Sequence, residues 1–158
     1  DRLWHYDVGY RFEQGSPSAE TYKGVYPTDY KGRKGDILWI GFDHGTAPRE
    51  AVYAYAVYPA IREEAFLKRG DDYRILSNTP EVQAIEDRAT GKTMAAFYAP
   101  GSITVEGAGT IAVDEPCLLI YDRAAGRTTV ANPFCESRPT EAVTVTIDGR
   151  AERIAFSR

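Results

Sequence analysis

The residues best suited to hold a ligand lie close together in one glycine-bearing stretch. Tyr26 and Tyr30 stand beside Lys31, Arg33 and Lys34. Cations next to aromatic rings suit an acidic sugar chain. Ammonium and guanidinium groups pair with sulfate or carboxylate, and the rings stack on pyranose faces. These five are the candidate substrate-binding residues. The plainer reading, a solvated hairpin tip, carries more weight on residue type alone.

Residues that could break bonds are sparse. His5 and His44 are the only histidines, and two such ligands far apart in sequence make a weak metal site. Asp43-His44-Gly45 could present a catalytic imidazole. It reads better as a turn, in which Asp43 bonds local backbone, Gly45 takes an unusual φ and His44 packs on a buried neighbour. Glu63 and Glu64 are adjacent on a helical stretch and point to different sides, the wrong arrangement for two carboxylates working on one bond. No G-x-S-x-G, no phosphate-cradling P-loop and no G-x-G-x-x-G is present. No catalytic residue, metal site or cofactor is therefore assigned.

Cys117 and Cys135 are too few for a disulfide scaffold. A hairpin pairing Asp122 with Arg127 places Cys117 opposite Asn132, with Cys135 past it. A bridge then needs the chain to curl back after Pro133, so two free buried thiols are expected. Trp4 and Trp39 sit in strand-like contexts and are read as core.

The elements that would position these residues are strands. Eleven Tyr, six Phe and two Trp occur among many Val, Ile and Thr, types that suit pleated surfaces. Period-two alternation predicts strands over Asp7–Glu13, Val52–Tyr58, Val82–Asp87, Thr93–Tyr98, Cys117–Tyr121, Arg127–Ala131, Ala142–Ile147 and Arg153–Phe156. In Val52–Tyr58, Tyr53 and Tyr55 share one face while Val52, Ala54 and Ala56 share the other. Arg88–Lys92, Asp122–Arg127 and Asp148-Gly149 have the chemistry of hairpin turns. Gly107-Ala108-Gly109 also reads as a hairpin turn. Only Ile61–Arg69 reads as a helix, with Ile61, Ala65 and Leu67 or Lys68 near helical spacing and Gly70 as its stop. Tyr22–Lys34 reads as a long loop. Short, evenly spaced strands predict an all-β fold of antiparallel sandwiches with at most one short helix.

Composition narrows the class. The 158 residues are 43% apolar and 27% charged, which excludes a disordered tail or a coiled coil. Acidic residues outnumber basic ones by 23 to 19, giving a net charge of −4. That balance argues against nucleic acid as a partner. No apolar run approaches the roughly 20 residues of a membrane span. The chain opens on Asp1 without a signal-peptide pattern, which reads as a processed or truncated product.

Two stretches go beyond generic β sequence. Gly41-Phe42-Asp43-His44-Gly45-Thr46-Ala47-Pro48 runs into Ala51-Val52-Tyr53-Ala54-Tyr55-Ala56-Val57-Tyr58-Pro59. Farther on stands Ile75-Leu76-Ser77-Asn78-Thr79-Pro80-Glu81-Val82-Gln83-Ala84-Ile85. Together they resemble the polysaccharide lyases of family 8, the chondroitin AC, hyaluronate and xanthan lyases. There a D-H-G-x-x-P segment leads into an A-x-Y-A-Y-x-x-x-P strand, and N-T-x-x-x-Q-A opens the C-terminal domain. Asp7-Val8-Gly9-Tyr10-Arg11-Phe12 is similar to the family's upstream G-Y-x-F strand, and Val113 to Pro133 to its last hairpin.

The resemblance implies that residues 1–70 end a large central β-sandwich and that 71–158 form the small C-terminal one. Family members act by β-elimination at a uronic acid, with Asn, His, Tyr and Arg supplied by an α/α toroid. No toroid motif occurs here, and His44 matches the sandwich motif rather than the catalytic His. The implied function is a non-catalytic sandwich bracing that toroid in a lyase of acidic polysaccharides such as chondroitin sulfate or hyaluronan. The alternative is a free-standing carbohydrate-binding module for acidic glycans. The implied partners are an acidic polysaccharide and the toroid, the implied location secreted or periplasmic. Exposed sheet edges in a truncated fragment also predict self-association.

Overall fold

Alternating sequence becomes paired antiparallel sheet. The computed structural model describes residues 1–13, 15–27, 34–134 and 141–156. The chain divides into two units, Asp1–Arg69 and Gly70–Arg158.

In the first unit β1 (Arg2–His5), β2 (Val8–Phe12) and β5 (Tyr55–Tyr58) form an antiparallel sheet in the order β1-β2-β5. Tyr6 and Asp7 close the first hairpin with φ of 45° and 61°. Two successive positive φ values give a turn whose twist matches that of the flanking strands. β3 (Ala19–Pro27) and β4 (Lys34–Phe42) form a separate nine-pair hairpin. The helix α1 (Glu63–Leu67) covers β2 with Phe66, which is fully buried. The Phe66 ring lies directly on Gly9, where an added Cβ would meet it at 2.4 Å. Tyr58 packs on the same ring at 5.6 Å between centroids, and the Arg2 guanidinium sits over it at 5.7 Å. Arg2 also donates to the Phe66 and Arg69 carbonyls at 2.9 and 2.8 Å, tying down the helix end.

The second unit is an antiparallel sandwich. One sheet runs β12-β11-β8-β7-β6, from β6 (Tyr73–Asn78), β7 (Val82–Asp87), β8 (Lys92–Phe97), β11 (Cys117–Asp122) and β12 (Arg127–Ala131). The other runs β14-β13-β10-β9, from β9 (Gly101–Val105), β10 (Gly109–Val113), β13 (Ala142–Ile147) and β14 (Arg150–Ala155). Every second residue points inward, so Phe97, Val105, Ile111, Leu119, Val143 and Val145 meet in a core where each is at most 2% exposed.

Several expectations need correction. Tyr22–Lys34 is not one long loop, because Tyr22–Pro27 and Lys34 are strand residues paired across the β3–β4 hairpin. Glycines and charges in these strands hide the period of two. The helix keeps only Glu63–Leu67 of Ile61–Arg69, and its anchor is Phe66, while Leu67 is exposed. Val52–Tyr58 pairs as strand only from Tyr55. Trp39 is not core: it is 50% exposed. Trp4 does turn partly inward, donating its indole N–H to the Ile61 carbonyl at 2.8 Å.

Cys117 is a buried free thiol opposite Phe97 on β8, and Cys135 lies outside the described residues. Burial, aided by the charge of Asp114, pushes the Cys117 thiol up to about 11. The thiolate is the reactive form. Cys117 in the native chain is therefore expected to resist iodoacetamide at pH 8 and to label on unfolding. Mass spectrometry of its peptide checks this, and rapid native labelling would contradict the buried placement.

Candidate functional site

The β3–β4 hairpin carries the stretch singled out for ligand binding. Tyr26 pairs with Gly35 and Pro27 with Lys34 at its end. Tyr30, Lys31 and Arg33 lie outside the described residues. The hairpin thus brings Tyr26 and Lys34 to neighbouring ladder positions.

Two residues of the same hairpin were not foreseen as binding groups. Tyr22 lies directly opposite Trp39, and the two are 55% and 50% exposed. Each ring rests on a glycine two residues along its own strand. A Cβ on Gly24 would lie 2.3 Å from the Tyr22 hydroxyl oxygen, and one on Gly41 2.2 Å from Cη2 of Trp39. The rings lie along the backbone with surface open to solvent. The sequence signal was present as an aromatic followed by glycine at i+2 on both strands, Tyr22/Gly24 and Trp39/Gly41.

Further aromatics gather in the same unit. Tyr10, Phe12, Ile40, Phe42, Tyr53 and Tyr55 line a cavity of about 260 Å³. Phe42 stacks on Tyr53 at 5.0 Å and meets Phe12 edge-on at 5.7 Å, while Tyr53 and Tyr55 stack at 6.3 Å. Tyr53 and Tyr55 thus share a face, as the alternation of Val52–Tyr58 predicts. The lining offers apolar faces and phenol hydroxyls but no carboxylate or cation.

His44 belongs to a turn. The Asp43 carboxylate accepts the Gly45 N–H at 2.7 Å, and Gly45 has a φ of 71°. The imidazole packs on Tyr53 at 5.9 Å and is half-buried. Among the described residues no carboxylate orients it, so it lacks the base–orienter geometry of proton transfer. Glu63 and Glu64 are both exposed, and Glu64 pairs with Lys68 one turn on. Among the described residues no three His, Cys, Asp or Glu side chains gather to hold a metal, and no helix is long and apolar enough to cross a membrane.

Charge in the second unit is organised around turns. Glu86, 7% exposed, pairs with Arg74 at 2.7 Å and lies 3.8 Å from Arg123. Arg74 also reaches Glu106. Asp87 accepts the Thr90 and Ala89 N–H groups, Asp122 accepts that of Ala125, and Asp114 that of Thr144. These bonds hold all three carboxyls below the usual aspartate range. The leading cause is the backbone bond from Thr90 for Asp87, that from Ala125 for Asp122, and the Thr144 side chain for Asp114. A depressed native pKa adds stability above the unfolded value of about 4, and that stability is lost as pH falls through the native one. The urea midpoint is thus expected to drop as pH falls below about 4. A triple variant with Asp87→Asn, Asp114→Asn and Asp122→Asn should flatten that limb. A wild-type midpoint that stays level through this range would contradict the assignment.

Comparison with known proteins places these features in a family. The sequence model described as "Polysaccharide lyase family 8, C-terminal beta-sandwich domain" matches residues 74–134. Chondroitinase-AC of Pedobacter heparinus is 30% identical over 135 residues, covering 79% of this chain and 19% of that protein. A hyaluronate lyase of Thermasporomyces composti is 33% identical over 122 residues, covering 75% of this chain and 14% of that protein. Among solved structures, an oligosaccharide-complex study of chondroitinase AC lyase gives a TM-score of 0.78 at 26% identity, over 99% of this chain and 25% of that one. The Streptomyces coelicolor A3 chondroitin AC lyase, in complex with chondroitin sulphate, shares the fold at a TM-score of 0.61 and 20% identity, over 92% of this chain and 21% of that one. The chain spans a fifth or less of the length of these curated relatives.

Proposed function

We infer the function of this chain from the family to which it belongs, polysaccharide lyase family 8, whose C-terminal β-sandwich domain it carries over residues 74–134. The chain is a supporting, non-catalytic part of a lyase that cleaves uronic-acid-containing polysaccharides such as chondroitin sulfate or hyaluronan by β-elimination. It braces the α/α toroid that holds the catalytic groups. Large acidic glycans are met outside the cell, which supports a secreted or periplasmic location. The observation that carries this reading is the match to chondroitinase-AC, which extends over 79% of the chain.

A chimera tests the supporting role. This chain would replace the matching segment of the Pedobacter heparinus enzyme, with a deletion of that segment alongside. The chimera is expected to retain turnover of chondroitin sulfate, and the deletion to lose most of it. A deletion as active and as heat-stable as the intact enzyme would refute the bracing role.

The exposed Tyr22–Trp39 pair favours a second reading, a carbohydrate-binding module, for which Tyr26, Tyr30, Lys31, Arg33 and Lys34 are the candidate binding residues of the sequence. It requires salt-sensitive binding of polysaccharide that weakens on Lys31→Ala with Arg33→Ala. Equal binding by the double variant would end that reading.

A further inference from the structure

The outer edge of the second unit places charge where a sandwich core should be apolar. Strand β13 turns Val143 and Val145 inward, 1% and 2% exposed. Directly opposed residues share a face. Across the β13–β14 ladder Val143 opposes Ile154, Val145 opposes Glu152 and Ile147 opposes Arg150. Glu152 and Arg150 therefore lie on the inward side of the edge strand. In the facing sheet Leu119 opposes Val130, both inward, so the next inward pair is Tyr121 with Thr128. Between these two pairs the sandwich stays open, as a groove of about 810 Å³ whose lining includes Tyr121, Thr128, Ile147, Asp148, Arg150 and Glu152.

That volume lies within the range of ligand sites, roughly 300–1,000 Å³. Among the described residues the Asp148, Arg150 and Glu152 side chains have neither a hydrogen-bond nor an ion-pair partner. Inward charges on an edge strand discourage strand addition. Edge protection accounts for a charge on β14. It does not account for the space held open opposite, beside a tyrosine ring and a threonine hydroxyl.

We propose that this groove is a glycan-binding site that takes a sparsely charged, unsulfated stretch of sugar chain. The proposal rests on the glycosaminoglycan reading above for its ligand class. Arg150 offers a fork of donors to one uronate carboxylate. Glu152 and Asp148 accept sugar hydroxyls, and Tyr121 supplies a ring face for pyranose C–H groups. Two carboxylates against one guanidinium make the groove net negative, which repels densely sulfated chain.

The test is an NMR titration of the full chain with a hyaluronan hexasaccharide and, separately, a chondroitin sulfate hexasaccharide. The hyaluronan fragment is expected to shift the amides of 107–109, 126–128 and 147–152. The sulfated fragment should bind several-fold more weakly. The double variant Arg150→Ala with Glu152→Ala, both at exposed positions, should lose at least about tenfold in affinity, one charge-assisted contact. Its unchanged thermal midpoint would show the fold intact. Unmoved groove amides, or equal binding by the double variant, would overturn the site. Unmoved amides alongside an active chimera would refute the groove and leave the lyase reading standing. Groove binding with an inactive chimera would support the site and count against that reading.

Discussion

Phe66→Ala is expected to remove about 3–5 kcal/mol of stability from Asp1–Arg69, the range for deleting a buried phenylalanine. The ring is fully buried, and it is what covers Gly9, Tyr58 and the Arg2 guanidinium. Arg2 ties down the helix end, but α1 is a five-residue helix with no side-chain N-cap. A helix that short has no stability of its own. Amide exchange in β1, β2 and β5 should accelerate, while β7, β8 and β11 in the second unit keep their protection. A companion cycle isolates the contact. Gly9→Ala should destabilise the wild type strongly, because its Cβ would meet the Phe66 ring, yet cost little once Phe66 is alanine. Additive effects of the two substitutions would show that the ring does not sit on Gly9.

Phe97→Ala is expected to cost a similar amount, about 3–5 kcal/mol, in Gly70–Arg158. Phe97 is 1% exposed and stands between Val82 on one neighbouring strand and Cys117 on the other. The space it vacates opens beside the Cys117 thiol. The variant should therefore show both a lower urea midpoint and faster alkylation of Cys117 in the native state. Phe97→Leu keeps most of the volume and should cost under about 1.5 kcal/mol. A Phe97→Ala protein as stable as the wild type would move the centre of the core elsewhere.

Much of the second unit was legible because its turns announce themselves. Asp87 and Asp122 each precede a short loop closed by glycine, and the flanking residues alternate cleanly. The turns bracket the strands, so β7, β8, β11 and β12 follow from pattern alone. The β3–β4 hairpin was not legible, because Glu20, Lys23, Gly24 and Gly41 interrupt its alternation; only the pairing partner makes it a strand. Trp39 was misplaced for a related reason. A tryptophan in a strand is usually core, and its exposure depends on which face of the hairpin the register assigns it. Phe66 escaped notice because so short a helix has too few residues for a period. Arg150 and Glu152 look like ordinary surface charges until the β13–β14 register sets them opposite the inward-facing positions Ile147 and Val145.

The proposed supporting role predicts no lyase activity from this chain by itself. The direct measurement is to incubate it with chondroitin sulfate, hyaluronan and xanthan and to follow the ultraviolet absorbance of the unsaturated uronide product. No product is expected from any of the three. Robust turnover would contradict the supporting role and make His44, with Tyr53 and Tyr55 beside it, the first groups to test as base and acid.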